Sequence, residues 1–134
     1  MIMPVMPTPA SVDPAASASL PFCYLTTRGR RTGHPHTVEI WFGVGGGILY
    51  LLSGGGDRSD WVRNIKAAPE VPVRLGEHTW PGTARPVSDP EEDALARRLL
   101  ASKYQGWSEG HPMSTWGRTA LPVAIELRLD EAGP

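Results

Sequence analysis

Cysteine is nearly missing from this chain: Cys23 stands alone, so no internal disulfide can form and a disulfide-stapled secreted scaffold is excluded. No Cys/His pair has the spacing of a structural zinc site. Net charge is missing too. Thirteen basic residues against 14 acidic ones leave −1, and a field that weak gives no reason to expect a nucleic acid or an anionic membrane as partner. No apolar run is long enough for a membrane span. The opening "MIMPVMPTPASVDPAASASL" has neither the basic start nor the continuous apolar stretch of a signal peptide. These absences point to a cytoplasmic protein. The Pro-, Ala- and Ser-rich opening reads as a flexible arm over residues 1–19, and residues 20–134 as one domain, because 134 residues suffice for one core and not for two. A ligand must then share that core or sit on its rim.

What is present alternates. "PFCYLTT" has the aromatic and β-branched content of a short strand. In "TVEIWFGV", Val38, Ile40, Phe42 and Val44 fall on one face and Thr37, Glu39 and Trp41 on the other. Gly45 to Gly47 supply a hairpin turn, and "ILYLLS" returns as a strand apolar enough to be central. "GGGDRSDWVRNIKAAPE" reads as a glycine loop, an N-cap at Asp57 or Ser59, one short helix and a stop before Pro69. "VPVRL" alternates again, with Pro72 arguing for an edge or a strand start, and turns through "GEH" into "TWPGTARPV". The clearest helix signal is "SDPEEDALARRLLASKY": Ser88 and Glu91 form a capping box, Pro90 suits the first turn, and Leu95, Leu99 and Leu100 make an apolar stripe. "LPVAIELRL" closes the domain as a last strand. Six short strands, mostly joined as hairpins around a small and a longer helix, predict a closed or split antiparallel barrel of α+β type.

Against this nearly neutral background stands "TTRGRRTGHPH", Thr26 to His36, with three arginines, two histidines, two glycines and no acid. Arg30 and Arg31 lie between Gly29 and Gly33, so the backbone can curl around a ligand while two guanidinium groups and the Thr32 hydroxyl converge on it. That suits a phosphate or a carboxylate. It is neither a P-loop nor a dinucleotide fingerprint, because a strand follows rather than a helix. A solvated basic turn is the plain alternative. Nucleic acid fits poorly, since the cluster is short and lacks interleaved aromatics. His34 and His36 lack carboxylate or thiolate company, so no metal is expected. A second open site lies in "LSGGGDRSDW", where a glycine loop meets a helix N-terminus and a flat ring could lie on exposed backbone.

"LTTRGRRTGHPHTVEIWF", "LYLLSGGGDRSDWVRNIKAAPEVPVRL" and "GTARPV" resemble, in order and spacing, the deazaflavin-dependent nitroreductase family of actinobacteria. The likeness runs from about Cys23 to Tyr104 and, more weakly, through the last strand. It implies an FMN-binding-like split β-barrel with two or three helices that binds coenzyme F420, an 8-hydroxy-5-deazaflavin whose ribityl phosphate carries a lactyl oligoglutamate tail. By that resemblance Arg30, Arg31 and Thr32 hold phosphate and tail. His36 stands where the family often has arginine, so its contribution is weaker and pH-dependent. Trp41 replaces a frequent tyrosine on the cofactor face. Leu52, Ser53 and Gly54 run along the ring, and Asp60, Trp61, Val62 and Asn64 close over it. Tyr104 and Trp107 match a pair of tyrosines beside the substrate, with Trp116 extending that wall and Tyr104, or water, as proton donor. The expected reaction passes hydride from reduced F420 to a small electron-poor acceptor: a quinone, an activated enone or a nitroaromatic. An FMN-dependent enzyme on the same barrel and a non-catalytic F420 carrier are the alternatives. By analogy a homodimer is expected, with Ile48 to Leu52 and the last strand offering apolar surface for pairing.

Overall fold

Cys23, Leu25 and Thr27 are buried while their neighbours Tyr24, Thr26 and Arg28 are not, the alternation of a strand with one face turned to a core. Seven strands are present among the described residues. The computed structural model describes residues 13–133, so most of the opening arm lies outside the described part. In chain order come β1 (Cys23–Arg28), β2 (Pro35–Ile40), β3 (Gly43–Gly45), β4 (Ile48–Ser53), α1 (Asp60–Ala67), β5 (Glu70–Leu75), β6 (His78–Pro86), α2 (Pro90–Gln105), α3 (Thr115–Thr119) and β7 (Leu121–Leu127). Before β1, Pro14–Ser17 form one 3-10 turn capped by Asp13, with Pro14 buried. The strands make a single antiparallel sheet in the order β2-β1-β5-β6-β7-β4-β3. It curls until the two edge strands, β2 and β3, are joined only through Trp41 and Phe42, which is the split antiparallel barrel expected from the sequence.

The interior is filled by Leu25, Phe42, Leu49, Leu51, Val73, Trp80, Val123 and Ile125, all fully buried. Burial of this kind stabilises by roughly 1.5–3 kcal/mol per large apolar side chain. The seventh strand comes from a break in the continuous run expected over residues 37–44. Phe42 turns into the core after β2 and starts the short β3, which pairs Gly43 with Tyr50. The turn back into β4 needs Gly46, whose φ is +65°.

Pro72 lies in a central strand and not at an edge. It faces Pro81 across β5 and β6. Two prolines have no N–H to exchange, so this is a non-hydrogen-bonded pair and the Pro72 nitrogen turns toward β1. The β1 ladder with β5 stops at Leu25↔Val73, just short of it.

β4 and β7 are buried on both faces. Leu49, Leu51, Val123 and Ile125 look into the barrel, whereas Tyr50, Leu52 and Ala124 pack with Ala96 and Leu100 under α2. The apolar surface expected to serve subunit pairing is thus covered by the chain's own helix. The helix is capped one residue later than the capping-box spacing suggests. Asp89 accepts from the Glu92 N–H at 2.9 Å, and Pro90 opens the first turn.

Glu92 is thereby free to face the sheet. It accepts a two-pronged bond from Arg85 at 2.7 and 2.8 Å and one from the Tyr50 hydroxyl at 2.8 Å. The Arg85 guanidinium holds the Glu92 carboxyl down at about 2, from an ordinary 4.5. A depressed carboxyl adds stability that is complete above its unfolded value and lost as pH falls through the folded one. Glu92→Gln is therefore expected to cost about 1–3 kcal/mol in urea unfolding at pH 7. Its deficit relative to wild type should shrink as pH falls from 4.5 towards about 2. A deficit that is constant over that window would show that the charge contributes nothing.

Candidate functional site

The basic turn between β1 and β2 is held from inside and from the side. Gly29 N–H donates to the His34 carbonyl at 2.8 Å, Gly33 N–H donates back to the Gly29 carbonyl at 2.8 Å, and His34 N–H donates to Thr32 Oγ1 at 3.2 Å. A side chain at Gly29 would crowd the turn and push the exposed His36 ring aside. A Cβ there would come within 2.9 Å of His36 Nε2 and 3.0 Å of Thr32 Oγ1. From the side comes Asn64 of α1, which is 4 % exposed. Its Oδ1 accepts from the Arg30 backbone N–H at 3.3 Å and from Arg30 Nη1 at 3.0 Å, while its Nδ2 donates to the buried hydroxyl of Thr27 at 3.1 Å. Arg30 Nη2 also meets Asp60 Oδ1 at 3.3 Å.

Turn and helix enclose an open cleft of about 670 Å³. Arg30, Arg31, Thr32 and His36 line it from the turn and the start of β2, Asp60, Trp61 and Asn64 from α1, and Val38 from β2. Seven of the sequence-predicted residues therefore meet around a single cavity. Two guanidinium groups, a hydroxyl and a tightly curled backbone form a donor set that fits a phosphate bearing an acidic tail.

The remaining candidates fall elsewhere. Ser53 is buried and its hydroxyl bonds the Gly56 carbonyl at 3.0 Å and Ser59 Oγ at 2.8 Å. It shapes the glycine loop that leads into α1. Ser59, in the N-cap position of α1, consequently makes no capping bond with its side chain. β3 pairs only with Ile48 to Tyr50, so Leu51, Leu52 and Ser53 are laddered to β7 alone. Beyond them Gly54 lies against Trp116, whose Cδ1 would be 3.4 Å from a Cβ on that glycine. A strip of backbone edge ending in a glycine under an indole suits a flat ring. The side chains of Leu52 and Val62, by contrast, belong to the core, at 4 % and 0 % exposure.

Trp41, Tyr104 and Trp116 form an aromatic cluster. Trp41 stacks on Tyr104 with centroids 4.4 Å apart and planes 6° from parallel, and Trp116 meets Trp41 edge-on at 5.4 Å. The Tyr104 hydroxyl, expected as a proton donor, is engaged twice. It donates to the Pro21 carbonyl at 2.9 Å and accepts from the Phe42 N–H at 3.1 Å. That ties α2 to both ends of the β1–β2 hairpin, and burial raises the phenol above its usual value. Trp107 joins neither group: its indole N–H donates to the His111 carbonyl at 2.7 Å in a separate surface depression.

Sequence reasoning missed Thr27. Its signal was a hydroxyl in phase with Cys23 and Leu25, a polar residue on the inward side of β1. It also gave no hint that Arg30 is clamped by α1.

Replacing Asn64 leaves the Thr27 hydroxyl and the Arg30 N–H without their partner. Asn64→Ala should lower unfolding free energy by about 1–3 kcal/mol. In hydrogen exchange the Arg30 amide should lose protection more than the β5–β6 amides do. Equal loss throughout would mean that Asn64 supports the fold and not the turn.

A family described as F420H(2)-dependent quinone reductase matches residues 14–127. The F420H(2)-dependent quinone reductase of Mycobacterium tuberculosis is 36 % identical over 113 residues, covering 78 % of this chain and 70 % of that protein. Among solved structures, an F420-H2 dependent reductase superposes with a TM-score of 0.63 at 23 % identity, over 80 % of this chain and 95 % of that one. A chain solved as a domain-swapped dimer gives 0.63 at 25 % identity, over 80 % of this chain and 81 % of that one.

Proposed function

We propose, because the chain belongs to the F420H(2)-dependent quinone reductase family, that the basic cleft of this F420-dependent oxidoreductase grips the coenzyme's phosphate and acidic tail while a quinone accepts the hydride. The observation that carries the assignment is the meeting of Arg30, Arg31 and Thr32 with α1 around one cavity. FMN would satisfy one guanidinium with its phosphate, but it has no tail of carboxylates to engage a second. Of the acceptor classes the resemblance left open, the family name favours quinones.

Bound, the reduced coenzyme supplies a hydride from carbon C5 of its ring, where a flavin has nitrogen and handles single electrons more readily. The protein's part is to bind and orient. In this reading Arg31 and Thr32 reach the anionic groups from the open side of the turn, and Arg30 does so from the helix side. His36, which lines the same cleft, adds a weaker contact. Trp61 shields the cleft, and the backbone of Leu52 to Gly54 carries the ring. Trp41, Tyr104 and Trp116 offer a flat acceptor a wall to stack on. The proton for the reduced quinone comes from water, since the Tyr104 proton is already held by the Pro21 carbonyl. Cytoplasmic action and a homodimer belong to the same reading. No helix among the described residues is long and apolar enough to cross a membrane, and similarity to a domain-swapped dimer supports pairing.

Replacing both Arg30 and Arg31 by alanine should weaken F420 binding by roughly two to four orders of magnitude, at about 1.5–3 kcal/mol per charge-assisted contact, and flatten its dependence on salt. Titration at two ionic strengths reads both quantities, and wild-type affinity in the double variant would return the turn to a solvated loop.

Tyr104→Phe should reduce the melting temperature through the lost tie to Pro21. It should leave single-turnover reduction of a soluble benzoquinone within about twofold of wild type, because a dedicated general acid would be worth 10²–10⁴. A hundredfold drop would reinstate Tyr104 as the donor.

A further inference from the structure

Arg30 enters the cleft already engaged from the helix side, 3.0 Å from Asn64 Oδ1 and 3.3 Å from Asp60 Oδ1. The two partners differ in kind. Asn64 is neutral, buried and locked by Thr27. Asp60 is charged, and its side chain is 84 % exposed. It is also the one acid among the residues that line the cleft. A carboxylate directed at the guanidinium of an anion site has two possible effects. It can aim the arginine, or it can compete with the ligand for it.

The geometry favours competition. Asn64 already holds Arg30 at two points, its backbone N–H and Nη1, so the arginine is aimed into the cleft without needing the longer, exposed contact of Nη2 with Asp60. We propose that Asp60 is an internal counter-anion that limits the grip of the cleft. In the free protein it pairs with Arg30, and an incoming polyanion must take Arg30 from it and then tolerate its charge. The inference rests on the assignment of this cleft to the phosphate and tail of F420. An exposed ion pair is worth little, so the exchange is easy. The unit charge left behind, a few ångströms from the bound anions, still weakens binding by about three- to tenfold at high dielectric. The consequence is moderate affinity and rapid release, which serves a hydride carrier that must leave once it has been used.

Calorimetric titration with oxidised F420 tests this on the wild-type chain, Asp60→Asn, Asp60→Glu and Asp57→Asn. Asp57 is a control for net charge: it precedes the same helix but pairs with Lys66 at 2.7 Å, away from the cleft lining. A second titrant is the deazaflavin riboside that lacks phosphate and tail. Asp60→Asn should bind F420 about three- to tenfold more tightly and release it more slowly in stopped flow. It should bind the riboside as wild type does. Asp60→Glu and Asp57→Asn should both stay near wild type towards F420.

Weaker or unchanged F420 binding by Asp60→Asn would overturn the proposal and make Asp60 an orienting residue or a bystander. So would equal tightening towards both titrants. A wild-type chain that binds no F420 would instead bring down the assignment of the cleft, and this inference with it.

Discussion

One buried side-chain amide joins the two halves of the site. Asn64 donates to Thr27 in β1 and accepts twice from Arg30 in the turn that follows, so α1 cannot shift without moving Arg30. Both groups it satisfies would otherwise be buried or half-buried polar atoms without partners, which makes the arrangement stiff as well as stable. The glycine loop before α1 is fixed separately, by Ser53 bonding the Gly56 carbonyl and Ser59. The cleft is therefore set by two short polar networks that hang from strands of the barrel. A rigid scaffold carrying loops that bind is the usual division of labour in such folds.

At the other end of the molecule α2 does the corresponding work. It covers the outward side of β4 and β7, meets Arg85 and Tyr50 through Glu92, and carries Tyr104 to the junction of β2 and β3. Lys103, one residue earlier, lies 3.6 Å from the centre of the Phe42 ring and donates to the Phe42 carbonyl at 3.3 Å. Half-burial lowers its ammonium to about 8. The residues that close the barrel are thus held by a helix from outside it, and the aromatic cluster lies at that same seam.

The barrel was legible because strands with one buried face alternate, and β1, β5 and β6 do so residue by residue. What resisted was long-range. Nothing local announces that Phe42 breaks one strand into two, or that Pro72 can occupy a central strand because Pro81 faces it. Continuous apolarity marked β4 as an interior strand, paired on both sides, but it could not say that α2, rather than a second subunit, covers it. The arginine cluster stood out by local density alone, and family likeness drew α1 towards it. The same likeness cannot report what a side chain is bonded to. Leu52 and Val62 are core residues, and the Tyr104 hydroxyl is spent on two backbone groups. Thr27 and the clamp on Arg30 depend on contacts between residues more than 30 positions apart in the chain. No periodicity encodes those.

The proposed seat for the anionic end of a deazaflavin coenzyme is the cleft between the basic turn and α1. That assignment is tested most directly by titrating the purified protein with oxidised F420, with FMN in parallel, and following quenching of the intrinsic tryptophan emission to which Trp61 in the cleft wall contributes. Saturable binding of F420 in the micromolar range or tighter is expected, with FMN binding far more weakly. Preference for FMN, or binding of neither, would contradict the assignment.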